Sequence, residues 1–264
     1  MRTYGHNVFR SVPNKRAGFQ GTSLMAVTGL EDKLAILSEH SLLKHVNPGE
    51  LAQLAVYATI AQHRARTIIF RQGDPGSSMM AVLSGRVRIC SYSAEGKEVT
   101  LNIVRKGEFF GEIALLDGKS RTAEAVALEP TDLLVLERRH FLPWLEAHPT
   151  VCLRMFSVLC DRLRRTSTQL EDTLFLEVPC RLARCLVRLA TAFGVAEKGG
   201  TRIDVKLSQQ QLGTLVGITR ESTNKHLNEW QRDGLITVSS GSVTIRDLEG
   251  LRELADFFDE DEVT

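Results

Sequence analysis

Several features are scarce in this sequence, and each scarcity excludes a class of function. No apolar run approaches the roughly 18 residues a membrane-spanning helix needs, so no membrane association is expected. The N-terminus carries Arg2, Arg10, Lys15 and Arg16 but no apolar core or small-residue cleavage pattern, so a secretory signal is not expected. Cysteine is sparse: five residues, at 90, 152, 160, 180 and 185, none in Cys-x-x-Cys spacing. That pattern fits reduced thiols in a cytoplasmic protein better than a disulfide framework or a zinc site. The seven histidines (6, 40, 45, 63, 140, 148 and 226) are dispersed. No nucleophilic triad, metal-spaced His/Cys set or dedicated general base stands out. The chain is therefore expected to be no enzyme and to hold no metal and no covalent cofactor.

What is present is ordinary in bulk and uneven in distribution. A length of 264 residues fits two domains, and 43% hydrophobic with 25% charged residues is the composition of a globular protein. The net charge of +1 hides an asymmetry. Between Pro179 and Arg252 there are 11 basic and 7 acidic residues, whereas Glu253–Thr264 holds six acids and no base. A basic domain followed by an acidic tail permits nucleic-acid binding without demanding it.

The stretch that organises the chain is Phe109–Ala123, FFGEIALLDGKSRTA. It reads as a strand end, a tight Gly111 followed at once by Glu112, a short apolar turn, and a loop that returns as Arg121-Thr122. A helical turn opening at Gly111-Glu112 presents free backbone N–H groups to an anion. Arg121 brings a planar fork of donors that fits a phosphate diester, and Thr122 adds a hydroxyl. Glu112 would repel the phosphate, so it suits neutral donors such as a sugar hydroxyl. An acceptor for hydroxyls beside an anion cradle describes a nucleotide whose ribose and phosphate lie close together.

Around this stretch the periodicity changes twice. Residues 1–29 are polar and unpatterned and are expected to form a disordered extension. Leu30–Leu43 and Pro48–His63 carry apolar residues at helical spacing. From Arg66 the period becomes two, giving strands at Thr67–Phe70, Met79–Ser84, Val87–Tyr92, Glu98–Val104, Thr122–Leu128 and Thr131–Glu137. Short strands at regular intervals point to a sandwich or barrel. A long helix follows His148-Pro149. Its Cys152, Phe156, Leu159, Leu163, Thr166, Leu170 and Thr173 form a narrow heptad seam, flanked by charge, which fits a parallel homodimer. Pro179 opens a new helix after a hinge.

The second motif lies near the C-terminus. Ser208 and Gln211 form a capping box ahead of a short helix, Gln209–Val216, stopped by Gly217. Thr219 caps a second helix, Arg220–Asp233. Helix, short turn, helix is a helix-turn-helix, and Leu235–Ser239 with Ser242–Arg246 adds a hairpin wing. On the second helix Arg220, Glu221, Asn224 and Lys225 fall on one face, while Thr223, His226, Leu227 and Trp230 fall on another. The first face suits the major groove. His226 is read as a partly buried core residue.

The segment 109–123 resembles the phosphate-binding cassette of cyclic-nucleotide-binding domains, and residues 35–252 resemble regulators of the bacterial CRP/FNR family. The resemblance implies an α+β architecture: a cyclic-nucleotide-binding β-roll (a double-stranded β-helix) over 30–148, a long dimerisation helix and hinge over 149–178, a winged helix-turn-helix over 179–252, and an acidic tail over 253–264. It implies 3′,5′-cyclic AMP or cyclic GMP as ligand. The ligand would meet Leu101 and Asn102 at the pocket floor and the backbone of Gly111. Glu112 would hold its ribose, Ile113 and Ala114 would line it, and Arg121, Thr122 and Ala123 would cradle the phosphate. Thr166 and Ser167 match a Thr-Ser pair that contacts adenine in cyclic-AMP-responsive members, one hydroxyl from each subunit. Hydroxyls donate or accept, so they leave the base open.

The segment Thr219–Lys225 resembles the family's recognition helix. Double-stranded DNA, as a palindrome resembling TGTGA-N6-TCACA, is the implied partner. Arg220, Glu221 and Lys225 would read base edges, with Ser208, Gln209, Thr219, Ser222 and Asn224 alongside. Lys225 stands where the best-known members have arginine and lacks the bidentate fork, so specificity there should differ. RNA polymerase is a further implied partner. The absence of cysteine from residues 1–60 argues against the iron–sulfur cluster of the oxygen-sensing members. Two rivals remain: a regulator of the same type answering to another ligand or to none, and a ligand-binding subunit that controls a partner protein.

Overall fold

The structure is a computed structural model, and it describes residues 29–40 and 42–255. The extension expected over 1–29 and the acidic tail beyond Ala255 thus lie almost wholly outside the described residues. The first described elements are two short helices, α1 (Leu30–Glu39) and α2 (Pro48–Tyr57). Asn47 caps α2 by accepting from the Gly49 N–H, and Pro48 sits in the first turn, where its missing N–H costs nothing. The helix expected to reach His63 stops at Tyr57, and β1 (Thr59–His63) begins at once. The helical spacing is carried by Leu51, Leu54, Ala55 and Ala58, all in the earlier part of the segment. Beyond Ala58 the chain pairs with a later strand, and that pairing overrides local preference.

The roll is built from β1, β2 (Ile68–Phe70), β3 (Ser78–Ser84), β4 (Arg86–Tyr92), β5 (Glu98–Arg105), β6 (Phe109–Phe110), a single-turn α3 (Glu112–Asp117), β7 (Glu124–Ala127) and β8 (Thr131–Glu137). Two four-stranded antiparallel sheets result, in the orders β1-β8-β3-β6 and β2-β7-β4-β5. Successive side chains on a strand face opposite ways. Met80 and Val82 of β3 and Leu133 of β8 fill the roll interior with Val87, Val104, Phe110, Ala125 and Ala127. Their neighbours Met79, Ala81, Leu134 and Leu136 face outward onto α1, α2 and the helices that follow. Burial on both faces explains why β3 and β8 read as nearly continuous apolar runs rather than alternating ones.

After β8 the chain forms α4 (Arg138–Glu146), which the sequence reading did not anticipate. Pro143 inside it interrupts the helical signal, yet Phe141, Trp144 and Leu145 are buried against the outer face of the sheet. The long helix α5 (Pro149–Phe175) follows and carries two distinct faces. Val151, Met155, Val158, Arg162, Arg165, Gln169 and Asp172, at steps of three and four, pack on or bond to the helix's own roll and the next helix. The opposite face, Leu153, Phe156, Leu163, Leu170 and Leu174, is exposed. This apolar stripe shares Phe156, Leu163 and Leu170 with the seam read from the sequence. Cys152, by contrast, turns inward toward α4, where its thiol donates to the Leu145 carbonyl at 3.5 Å.

The C-terminal part holds α6 (Val178–Phe193), β9 (Gly194–Glu197), β10 (Gly200–Ile203), α7 (Gln209–Val216), α8 (Arg220–Arg232), β11 (Ile236–Ser239), β12 (Ser242–Ile245) and α9 (Leu248–Leu254). Its sheet runs β11-β12-β10-β9. Leu182, Leu186, Leu212, Leu227, Trp230, Ile236 and Ile245 form its core. Strand β5 of the roll lies against α7. Ile103 joins this second core, and the Thr100 and Thr214 hydroxyls bond at 2.8 Å. Arg86 also pairs with Asp204 at 2.9 Å.

Candidate ligand pocket and nucleic-acid interface

Gly111 starts the pocket. It caps α3 with φ 80°, a conformation that favours glycine, and a Cβ there would lie 2.6 Å from Arg121 Nη1. This close approach lets the guanidinium fold beneath the turn. Arg121 is 5% exposed; its Nη1 donates to the Gly111 carbonyl at 2.8 Å and its Nη2 to Ser78 Oγ at 3.0 Å. Its cation lies 4.2 Å from the centre of the Phe70 ring. Burial pushes the guanidinium below the ordinary arginine pKa, while Glu112 and Asp74 oppose the shift.

Glu112 is 1% exposed at the first residue of α3. Its Oε1 accepts from Arg162 Nη1, and Arg162 Nη2 donates to the Phe109 carbonyl. A helix thus closes one side of the pocket by an ion pair with the carboxylate at its centre. Arg165, one turn on, donates from Nη1 to Asn102 Oδ1 at 2.6 Å, and Thr166 Oγ1 donates to the Arg162 carbonyl at 2.9 Å.

These groups line one cavity between the roll and α5. Of the residues singled out in the sequence, Leu101, Asn102, Gly111, Glu112, Ile113, Ala114, Arg121, Thr122, Ala123 and Thr166 line it. Ser167 does not line it; it is exposed, next along α5. Sequence reasoning missed Arg162 and Arg165 and the apolar lining of Phe70, Ile89, Val104 and Phe110. Arg162 could have been placed on the pocket side, because it stands four residues before Thr166 and so shares its side of the helix. Two buried polar atoms, Arg121 Nε and Glu112 Oε2, have no hydrogen-bond partner. A buried donor and a buried acceptor left open in one cavity fit a ligand carrying an anion and a hydroxyl.

The helix-turn-helix has the geometry its caps predict. Ser208 Oγ accepts from the Gln211 N–H at 3.1 Å, and Gln211 Oε1 accepts from the Ser208 N–H at 2.9 Å. Thr219 Oγ1 accepts from the Ser222 N–H at 3.2 Å and starts α8. The two helices cross at Gly213, where a Cβ would lie 2.7 Å from the Ile218 carbonyl oxygen and 2.8 Å from Thr223 Oγ1. Arg220, Glu221, Asn224 and Lys225 are exposed together, and Ser222 is half-buried. Gln209 Nε2 donates to Asn224 Oδ1 at 2.8 Å and ties α7 to this face. His226 is half-buried beside Trp230. The wing turns at Ser240 and Gly241, both with positive φ, as a tight two-residue hairpin requires.

Residues 61–148 match the family model of the cyclic nucleotide-binding domain, and residues 180–254 match that of the Crp-like helix-turn-helix domain. The chain is thus a cyclic-nucleotide-binding domain joined by a long helix to a DNA-binding helix-turn-helix domain, the build of a ligand-binding transcription regulator. It is 31% identical over 220 residues to a CRP-like cAMP-activated global transcriptional regulator of Mycobacterium tuberculosis, covering 83% of this chain and 98% of that one. It is 33% identical to the cyclic AMP receptor protein of Thermus thermophilus, covering 71% of this chain and 83% of that one. Among solved structures, the c-di-GMP-responsive global regulator of Xanthomonas campestris superposes with a TM-score of 0.67 at 25% identity, covering 75% of this chain and 99% of that one. The chain belongs to the CRP/FNR family of transcription regulators, whose members are not enzymes. Among the described residues no helix is long and apolar enough to cross a membrane, and no cluster could hold a metal ion.

Proposed function

We propose that this chain is a cytoplasmic transcription factor switched by a 3′,5′-cyclic purine nucleotide, cyclic AMP being the first candidate. The observation that carries this is the pair of open buried atoms, Arg121 Nε and Glu112 Oε2, in a cavity closed by α5. The cyclic phosphate lies against Arg121, Thr122, Ala123 and the backbone of Gly111, and Glu112 takes the ribose 2′-hydroxyl. The base then reaches Leu101, Asn102 and Thr166, with Ile113 and Ala114 along the sugar. Two chains pair through the exposed stripe of α5, and Ser167, beside that stripe, meets the ligand of the partner. Ligand shifts a pre-existing equilibrium by its higher affinity for the DNA-binding arrangement. The paired α8 helices then enter successive major grooves of a TGTGA-like palindrome. Arg220, Glu221 and Lys225 read bases there, while Ser208, Gln209, Thr219, Ser222 and Asn224 hold the backbone or neighbouring edges. RNA polymerase is the further partner of the DNA-bound dimer.

Calorimetry with cyclic AMP and cyclic GMP, followed by operator binding with and without each, tests this reading. Tight binding that raises operator affinity supports it. Binding of neither nucleotide overturns the ligand half and leaves a DNA-binding regulator with another signal. A second reading, a different nucleotide ligand, is favoured by one observation: the structural relative from Xanthomonas campestris is described as responsive to c-di-GMP. Adding that dinucleotide to the same titrations separates the two.

A further inference from the structure

One short helix carries Glu112, and a residue outside the pocket fixes that helix. Helix α3 runs only from Glu112 to Asp117. The last carbonyls of a helix have no partner within it. Gly118, with φ 73°, returns its N–H to the Ala114 carbonyl at 3.0 Å. The next two carbonyls are met by one side chain from another element. Arg138, the first residue of α4, donates from Nε to the Leu115 carbonyl at 2.6 Å and from Nη2 to the Leu116 carbonyl at 3.5 Å. A cation at this end also complements the negative end of the helix dipole.

The backbone of the same residue holds the other side of the pocket. The Arg138 N–H donates to the Ser77 carbonyl at 2.7 Å, just where β3 begins at Ser78, paired with Glu137 of β8. Ser78 Oγ in turn accepts from Arg121 Nη2. Between these two holds α3 packs on Gly76, where a Cβ would lie 2.1 Å from that of Ala114 and 2.9 Å from the Lys119 carbonyl oxygen. The helix bearing Glu112 and the strand that steadies Arg121 are thus both tied to Arg138. Arg138 is half-buried and is not among the residues that line the cavity, so its effect on a ligand passes through the groups it holds.

We infer that Arg138 is a positioning residue for the nucleotide: it sets α3, and with it the Glu112 carboxylate, where the ribose is held. This rests on the cyclic-nucleotide reading of the pocket and adds the residue that keeps its two sides in register. Arg162 restrains the carboxylate end of Glu112, and Arg138 restrains the backbone from which Glu112 projects. Without Arg138 the carboxylate keeps its partner on α5 but loses its fixed distance from Arg121.

The test uses the ribose hydroxyl as the probe. The tighter-binding of cyclic AMP and cyclic GMP, and its 2′-deoxy analogue, are titrated calorimetrically into the full-length wild type, Arg138→Met and Arg138→Lys, with melting temperatures recorded for each. Methionine keeps the packing of the stem and removes every donor, whereas lysine keeps the charge but lacks the fork that spans two carbonyls. In wild type the analogue should bind about tenfold more weakly, because it leaves the buried carboxylate without its hydroxyl. In Arg138→Met the nucleotide should lose about tenfold in affinity and the analogue much less, so the ratio of the two shrinks toward one. Arg138→Lys should recover part of the ratio, and it decides the matter by the same ratio if Arg138→Met does not fold. A lower melting temperature with an unchanged ratio overturns the positioning role and leaves Arg138 a support of the fold. Equal binding of nucleotide and analogue by wild type overturns instead the ribose contact of Glu112, and binding of neither cyclic AMP nor cyclic GMP overturns the reading on which both rest.

Discussion

Glu112 and Arg162 show how one residue pair can be both structural and functional. Glu112 is 1% exposed, and its partner is 27% exposed at the side chain, so the pair is mostly out of water. Removing one member of such a pair leaves an uncompensated charge and costs about 3–5 kcal/mol, whereas removing both charges costs far less. Arg162→Ala should therefore lower the melting temperature, and Arg162→Ala with Glu112→Gln should recover part of the loss. A double variant no more stable than the single one would show that the carboxylate is not left stranded. His40 gives a second residue-scale expectation. Burial holds its imidazole below the ordinary value, with Glu108 opposing, and His63 is lowered by burial as well. The unfolded chain then takes up protons first, so stability falls as pH drops below about 6.5 and is flat above it. Urea denaturation at stepped pH should show this decline, and His40→Gln should remove His40's share of it, leaving the part due to His63.

At the scale of an element, α5 is the one to argue from. Its inward face is fixed by Met155, Arg162 and Asp172, and its outward face by Leu153, Phe156, Leu163, Leu170 and Leu174. A heptad stripe of this kind, left uncovered by the chain itself, fits a two-stranded coil. A charge placed in the stripe should break that coil without touching the roll. Leu163→Arg should therefore shift the protein from dimer to monomer in analytical ultracentrifugation while nucleotide still binds the cassette. A dimer that persists would move the interface elsewhere. The sequence made this helix legible because a narrow apolar period survives amid charge, but the seam read from it began at Cys152, which the structure turns inward, instead of at Leu153. Cys152 and Leu153 are both apolar, and only packing against the roll decides which turns inward. The cassette and the helix-turn-helix were legible for another reason. Gly111, Glu112, Arg121, Ser208 and Thr219 each perform a local task that few residue types can do. Arg162 and Arg165 were harder to see: the spacing to Thr166 puts Arg162 on the pocket side of the helix, but it does not say whether an arginine there meets water or a carboxylate 50 residues away. Helix α4 was obscured by its own proline, and β1 by a preceding helix whose apolar spacing ran up to it.

At the scale of the whole molecule, the two halves are joined by more than the hinge. Strand β5 carries Leu101 and Asn102 into the ligand cavity, and Thr100 and Ile103 of the same strand meet the DNA-binding half. Asp172 on α5 accepts from Arg184 and Arg188 of α6, each at 2.7 Å, and so clamps the end of the long helix to the next one. With a cavity wall and a domain contact on one strand, a ligand that shifted β5 would act directly on α7. Two halves that share buried contacts of this kind should unfold together, because losing one exposes apolar surface on the other. Calorimetry of the wild type should then give one cooperative transition. Thr214 is 3% exposed against Thr100, so Thr214→Arg forces a long charged side chain into the contact and should wedge the halves apart. Two resolved transitions, with nucleotide raising only the one that belongs to the roll, are the expected result, since a ligand stabilises the unit that binds it. A single transition in the variant, still raised as a whole by nucleotide, would show that α5 and its clamp on α6 couple the halves without help from β5.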